Sequence, residues 1–185
     1  MYSLQHLPNQ KKGENGICIL RRHWFTFLVT ILLYVALIFV PFFAFLVIWN
    51  QMNDILIGPV SFPIFVIVIS IYYLSLWTFL FHAFIDFYLD VWVVTNERII
   101  SIEQKGLFSR VISEQMLYRV QDVTSEIHGL FPTLLKYGNL EVQTAGQEQR
   151  FEFKNVPYPD KIVKLIHEES EASKRRHPEA KVEGI

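Results

Sequence analysis

Two long stretches of this chain show no alternation between apolar and polar positions. From Trp24 to Trp49 no charged residue interrupts 26 positions, which as an α-helix spans about 39 Å and exceeds the hydrocarbon core of a bilayer. Leu, Ile, Val and Phe fill 18 of them, favouring insertion by roughly 5–11 kcal/mol on a per-residue scale. Trp24 and Trp49 mark the ends, where an aromatic ring with a polar N–H prefers the water interface. Pro41 is expected to kink this helix. A second charge-free block runs from Ser61 to Ile85, with Pro63 in its first turn, where a missing N–H costs little. The pattern predicts a transmembrane hairpin over 24–85, with helices at 24–49 and 61–85. A cleaved signal peptide fits the first block poorly, because the run is too long and no small-x-small site follows it.

Beyond Asp86 the period changes to that of strands. Leu89–Thr95 and Arg98–Gln104 flank a tight turn and read as a hairpin; Arg110–Leu117 and Arg119–Ile127 read as further strands. Gly129 and Pro132 punctuate an irregular segment that ends at Gly138. Leu140, Val142 and Thr144 alternate with Glu141 and Gln143, and after a turn at Gly146, Phe151 and Phe153 alternate with Glu152 and Lys154. Pro157 and Pro159 stop the last strand, and Ile162, Val163, Leu165 and Ile166 form the apolar stripe of a closing helix. About six antiparallel strands and one helix predict a partly open barrel with the helix across its open end. The expected division is a front segment at 1–23, the hairpin at 24–85, a soluble domain at 86–168 and a flexible tail at 169–185.

Charge orients this plan. Lys11, Lys12, Arg21 and Arg22 precede the first block against Glu14 alone, whereas the connection from Asn50 to Val60 holds only Asp54. The positive-inside rule then places both termini in the cytoplasm and the short loop outside. Cys18 is the single cysteine among 185 residues, which excludes an intramolecular disulfide and a cysteine-rich metal site.

Three pieces of the soluble part resemble a known family. They are Val93-Val94-Thr95-Asn96-Glu97-Arg98-Ile99-Ile100, the stretch from Leu130-Phe131 to Gly138-Asn139-Leu140-Glu141-Val142-Gln143-Thr144-Ala145-Gly146, and Asn155-Val156-Pro157. In this order they are similar to the YdbS-like bacterial pleckstrin-homology (PH) membrane proteins. The resemblance implies an α+β membrane protein in which a two-helix hairpin precedes a PH-like split β-barrel capped by a C-terminal helix. It implies no reaction and transfers no functional residue.

Catalytic patterns are missing. The six histidines lack metal-site spacing, and there is neither a phosphate-cradling Gly-rich loop nor a nucleophile elbow. No enzyme activity and no cofactor are expected. Asp86 and Asp90, four apart, read as the solvated end of the second span. Arg98, Lys105, Arg110 and Arg119 are the candidate interaction surface, by position comparable to the basic residues of lipid-binding PH domains. From Asp86 onward, however, 13 Lys and Arg face 16 Asp and Glu. That balance lacks the basic cluster of nucleic-acid or anionic-lipid recognition. The expected function is therefore a non-enzymatic inner (plasma) membrane protein whose cytoplasmic domain binds a protein partner or assembles with itself. Lipid or envelope-stress sensing, and solute passage through an oligomer, are the alternatives.

Overall fold

The computed structural model describes residues 10, 13–56, 58–144 and 151–178, so the expected roles of Lys11, Lys12 and Gly146 fall outside the described residues. Two compact units emerge, one formed by residues 24–85 and the other by the residues on either side of them.

The first unit is a pair of helices, α1 (Trp24–Leu56) and α2 (Ser61–Leu89), both longer than the charge-free blocks alone suggest. Residues Trp24–Val47 and Ser61–Leu89 are long and apolar enough to cross a membrane. Most of their large apolar side chains are exposed, and among the described residues of the pair only Leu76 is buried. In water such exposure would forfeit the hydrophobic term that normally holds helices together. The helices are joined instead by aromatic contacts, Phe27 with Phe84 and Phe45 with Phe65, and by two hydroxyls. The Tyr72 hydroxyl donates to the Leu37 carbonyl at 2.8 Å, and that of Tyr73 to the Ile38 carbonyl at 3.1 Å. Leu37 is four residues before Pro41, so its carbonyl is the one that proline leaves without an N–H donor. Ser70, Ser75 and Thr78 donate to carbonyls of their own helix, four residues back, rather than across the pair.

The second unit holds two antiparallel sheets. The first contains β1 (Gly16–Arg21), β2 (Val91–Thr95), β3 (Arg98–Lys105) and β4 (Ser109–Met116), in that spatial order. The second contains β5 (Val120–Glu126), β6 (Tyr137–Thr144) and β7 (Phe151–Pro157). A short helix, α3 (Leu130–Leu135), bridges β5 and β6 within the stretch read as irregular, and α4 (Pro159–Arg176) closes the chain. The barrel is split into these two sheets and is not closed.

The inner faces of the sheets meet in one core. Leu20, Trp92, Val94, Ile99, Leu140, Val142, Phe153 and Val156 pack there, with the Trp92 and Phe153 rings 5.4 Å apart. Ile162 and Ile166 of α4 join that core, and the Ser170 hydroxyl bonds the Leu117 carbonyl at 3.0 Å. The opposite face of the first sheet buries a smaller cluster, Val91, Val93, Ile100 and Ile102. Alternate positions of β2 and β3 thus serve two apolar layers, which explains why both read as nearly continuous apolar runs. At Gly138 a Cβ would lie 2.5 Å from the Glu126 carbonyl oxygen, so only glycine lets β5 approach there.

Two expected boundaries move. The front segment is not separate from the soluble domain: Gly16–Arg21 is an edge strand, pairing Leu20 with Trp92 and Arg21 with Val91. Leu20 supplies apolar burial, and the segment before it is pinned where the Asn96 side chain accepts from the Asn15 N–H and donates to the Gly13 carbonyl. The tail expected from 169 is ordered helix to Arg176. The Arg176 guanidinium bonds the Asn96 carbonyl, and the His177 ring lies 2.8 Å from a Glu97 carboxylate oxygen.

Candidate functional site

The four basic residues proposed as one surface fall in three places. Arg98 is not on the surface at all: it is 1% exposed. Its guanidinium makes a two-pronged contact with Glu14, Nε to Oε1 at 2.8 Å and Nη2 to Oε2 at 3.0 Å, and donates from Nη1 to Glu114. The Thr95 hydroxyl adds a 3.0 Å bond to Glu14 Oε1. Burial opposes the charge on Arg98, but Glu14 and Glu114 outweigh that and hold its pKa above the usual arginine value. Arg98 therefore acts as a clamp between the segment before β1, the start of β3 and the edge strand β4. Glu14 lies 84 positions away in sequence, and no local spacing could have revealed it.

Arg119 ends a single 3-10 turn at Leu117–Arg119 and lies beside the Tyr118 ring, at the far end of β4 from Lys105 and Arg110. Those two alone come together. Register sets Lys105 opposite Ser109 and Gln104 opposite Arg110, so both flank the β3–β4 tip of Gly106, Leu107 and Phe108.

Two further features offer surfaces. The first is β4 itself. Within its sheet it pairs only with β3, and its Val111 and Ile112 side chains are exposed. The second is the end of the domain where the helical segment is inserted. Arg21 pairs with Val91 there, and Arg22 forms an ion pair with the buried carboxylate of Asp90. Asp90 also accepts the Gln104 N–H at 2.8 Å, so it acts as a cap on β3 rather than as a solvated helix end. Its pKa is raised by burial, against the lowering pull of the Gln104 N–H and Arg22.

At the same end the His23 ring stacks on Tyr137 with centroids 4.8 Å apart, and the His23 N–H bonds the Asn155 carbonyl at 2.7 Å. Beside Tyr137 an open groove of about 580 Å³ is lined by Ile127, Thr133, Lys136, Tyr158, Pro159, Asp160 and Lys161. Lys136 and Tyr158 shape it with positive φ angles, and the Tyr158 N–H bonds the Lys136 carbonyl at 2.7 Å. Among the described residues no group of three or more His, Cys, Asp or Glu is arranged to hold a metal ion.

No curated protein matches the sequence. A DUF1696-family protein with a pleckstrin-homology domain from Shewanella loihica PV-4 is similar at 21% identity and a TM-score of 0.37, over 44% of this chain and 70% of its own. The family model described as "Bacterial PH domain" matches residues 25–170, a span that takes in the helical pair, six of the seven strands and most of α4. The chain belongs to the bacterial PH domain family.

Proposed function

We propose that this chain is a non-enzymatic integral protein of the bacterial inner membrane, of the YdbS-like kind, whose cytoplasmic PH-like domain recruits a protein strand at the β4 edge. A second copy of the chain is the favoured occupant. The observation that carries the reading is an edge strand that, among the described residues, is hydrogen-bonded to a strand on one side only and bears exposed apolar side chains, a ready template for strand addition. Arg110, Ile112 and Glu114 alternate on one face of β4. A twofold antiparallel pairing centred on Ile112 sets Arg110 of one copy opposite Glu114 of the other, a complementary cross-strand pair.

The membrane part of the reading rests on the two long apolar helices and on the strand pairing. Because β1 precedes α1 and β2 follows α2, the pairing of β1 with β2 requires both to be on one side of any bilayer. The helices must then cross twice or not at all. The four basic residues ahead of α1 support a cytoplasmic position for that shared side by the positive-inside rule.

The test is photo-crosslinking in intact membranes from a benzophenone amino acid at Val111, with Glu141 as control, since it is paired with Thr124 of β5 on one side and Glu152 of β7 on the other. A discrete adduct from Val111 alone, at the mass of a dimer or of one partner, is the expected result. If Val111 yields no protein adduct while the chain remains in the membrane fraction, strand addition at β4 is wrong.

A further inference from the structure

We propose that the end of the sheet domain carrying the β3–β4 tip and α3 is a lipid-interface surface, seated among the headgroups of the bilayer that α1 and α2 cross. This rests on the membrane-spanning reading above and is independent of strand addition at β4.

Strand register locates the first element. Arg21 is opposite Val91, Val91 opposite Ile102, and Ile102 opposite Ile112, so one row across the sheet marks where the chain leaves for α1 and returns from α2. β3 continues three residues past that row, to Lys105, a further reach of about 10 Å. At its tip Phe108 is 100% exposed and Leu107 is exposed beside it.

The second element reaches the same end by a different route. α3 is followed by Tyr137, whose ring stacks on His23, the residue immediately before α1. Leu130 is 80% exposed and Leu134 73%, with Phe131 exposed between them. A six-residue helix that turns three large, mostly exposed apolar side chains to the surface forms an apolar cluster of the kind that marks a contact surface.

Among the described residues, the opposite end of the domain is unlike this one. It presents the Asn96-Glu97 turn with Arg176, His177 and Arg119, all polar. A uniformly soluble domain has no reason for that asymmetry, whereas a domain held with one end against a bilayer does. The chemistry also matches: Leu and Phe side chains suit the boundary between headgroups and acyl chains, and Lys105 and Lys136 flank the two apolar elements where anionic headgroups would lie. Such a surface needs few cations because apolar insertion supplies most of its affinity. The net negative charge of the soluble part is therefore no obstacle.

The test uses the full chain in a Cys18→Ala background, reconstituted into phosphatidylcholine–phosphatidylglycerol vesicles. Single cysteines at Phe108→Cys, Leu134→Cys, Arg119→Cys and Leu33→Cys carry an environment-sensitive fluorophore. The expected result is quenching of labels 108 and 134 by lipids with a nitroxide near the headgroup. Both should be shielded from aqueous iodide, with label 119 open to iodide and label 33 quenched by deep nitroxides. Adding Lys105→Gln should shift label 108 from lipid toward water by roughly fivefold, the share of one basic residue at an anionic surface. Iodide access at 108 and 134 equal to that at 119, with 33 still in lipid, overturns the interface while leaving the membrane reading intact. Shielding of 108 and 134 from both quenchers overturns it in favour of a protein cover. Iodide access at 33 overturns the membrane reading and this inference together.

Discussion

Arg98 shows how far a residue's chemical type is from its role. Its charge is matched by two carboxylates, one of them fully buried, so the clamp stands or falls as a set. Replacing one member leaves the others uncompensated: Arg98→Met is expected to cost about 3–5 kcal/mol, because Glu14 is then a buried carboxylate without its cation. Adding Glu14→Leu should recover a large part of that loss. Thermal unfolding of the two variants in mild detergent checks it, and equal destabilisation of both would contradict the clamp. Asp90 gives a pH dependence of a particular sign. Its folded pKa is raised, so the stability it contributes is fully present below the ordinary carboxylate value and is lost as pH rises through the raised one. Asp90→Asn keeps an oxygen for the Gln104 N–H and removes the titration. The melting temperature of the variant relative to the parent is therefore expected to climb as the pH rises above the ordinary carboxylate value of about 4. A relative fall over that rise would show that the Arg22 pair dominates instead.

At the scale of elements, the proline expected to kink α1 turns out to be compensated from α2. α1 runs through Pro41 without a break, and the carbonyl that proline orphans is taken by Tyr72 of α2. In hydrocarbon an unpaired carbonyl has no water to turn to. Tyr72→Phe should therefore weaken the helix pair by about 1–2 kcal/mol in the parent chain. In a Pro41→Ala background residue 41 regains its N–H and the same change should cost almost nothing. A double-mutant cycle read by unfolding in detergent decides this, and an equal cost in both backgrounds would exclude the coupling. The sequence announced the helices, the β2–β3 hairpin and the alternation of β6 and β7 because those signals are local. It concealed β1, which is only six residues long, ends at Arg21 beside Arg22 and finds its partner 70 or more positions later. It also concealed α3, since six residues around a proline carry no period to read. Of the candidate site, Lys105 and Arg110 were visible as exposed cations, whereas the burial of Arg98 depended on a distant carboxylate.

For the whole molecule, the decisive feature is that a helical hairpin interrupts a sheet between its first and second strands. During synthesis β1 emerges first and has nothing to pair with until both helices and β2 have left the ribosome. The domain therefore cannot complete its fold before the hairpin has been made, and in the membrane-spanning arrangement proposed above, folding of the sheet would report that insertion succeeded. Once closed, the β1–β2 ladder acts as a clasp on both ends of the hairpin. In the proposed membrane-spanning arrangement, pulling one helix away by force then means unzipping a sheet edge first.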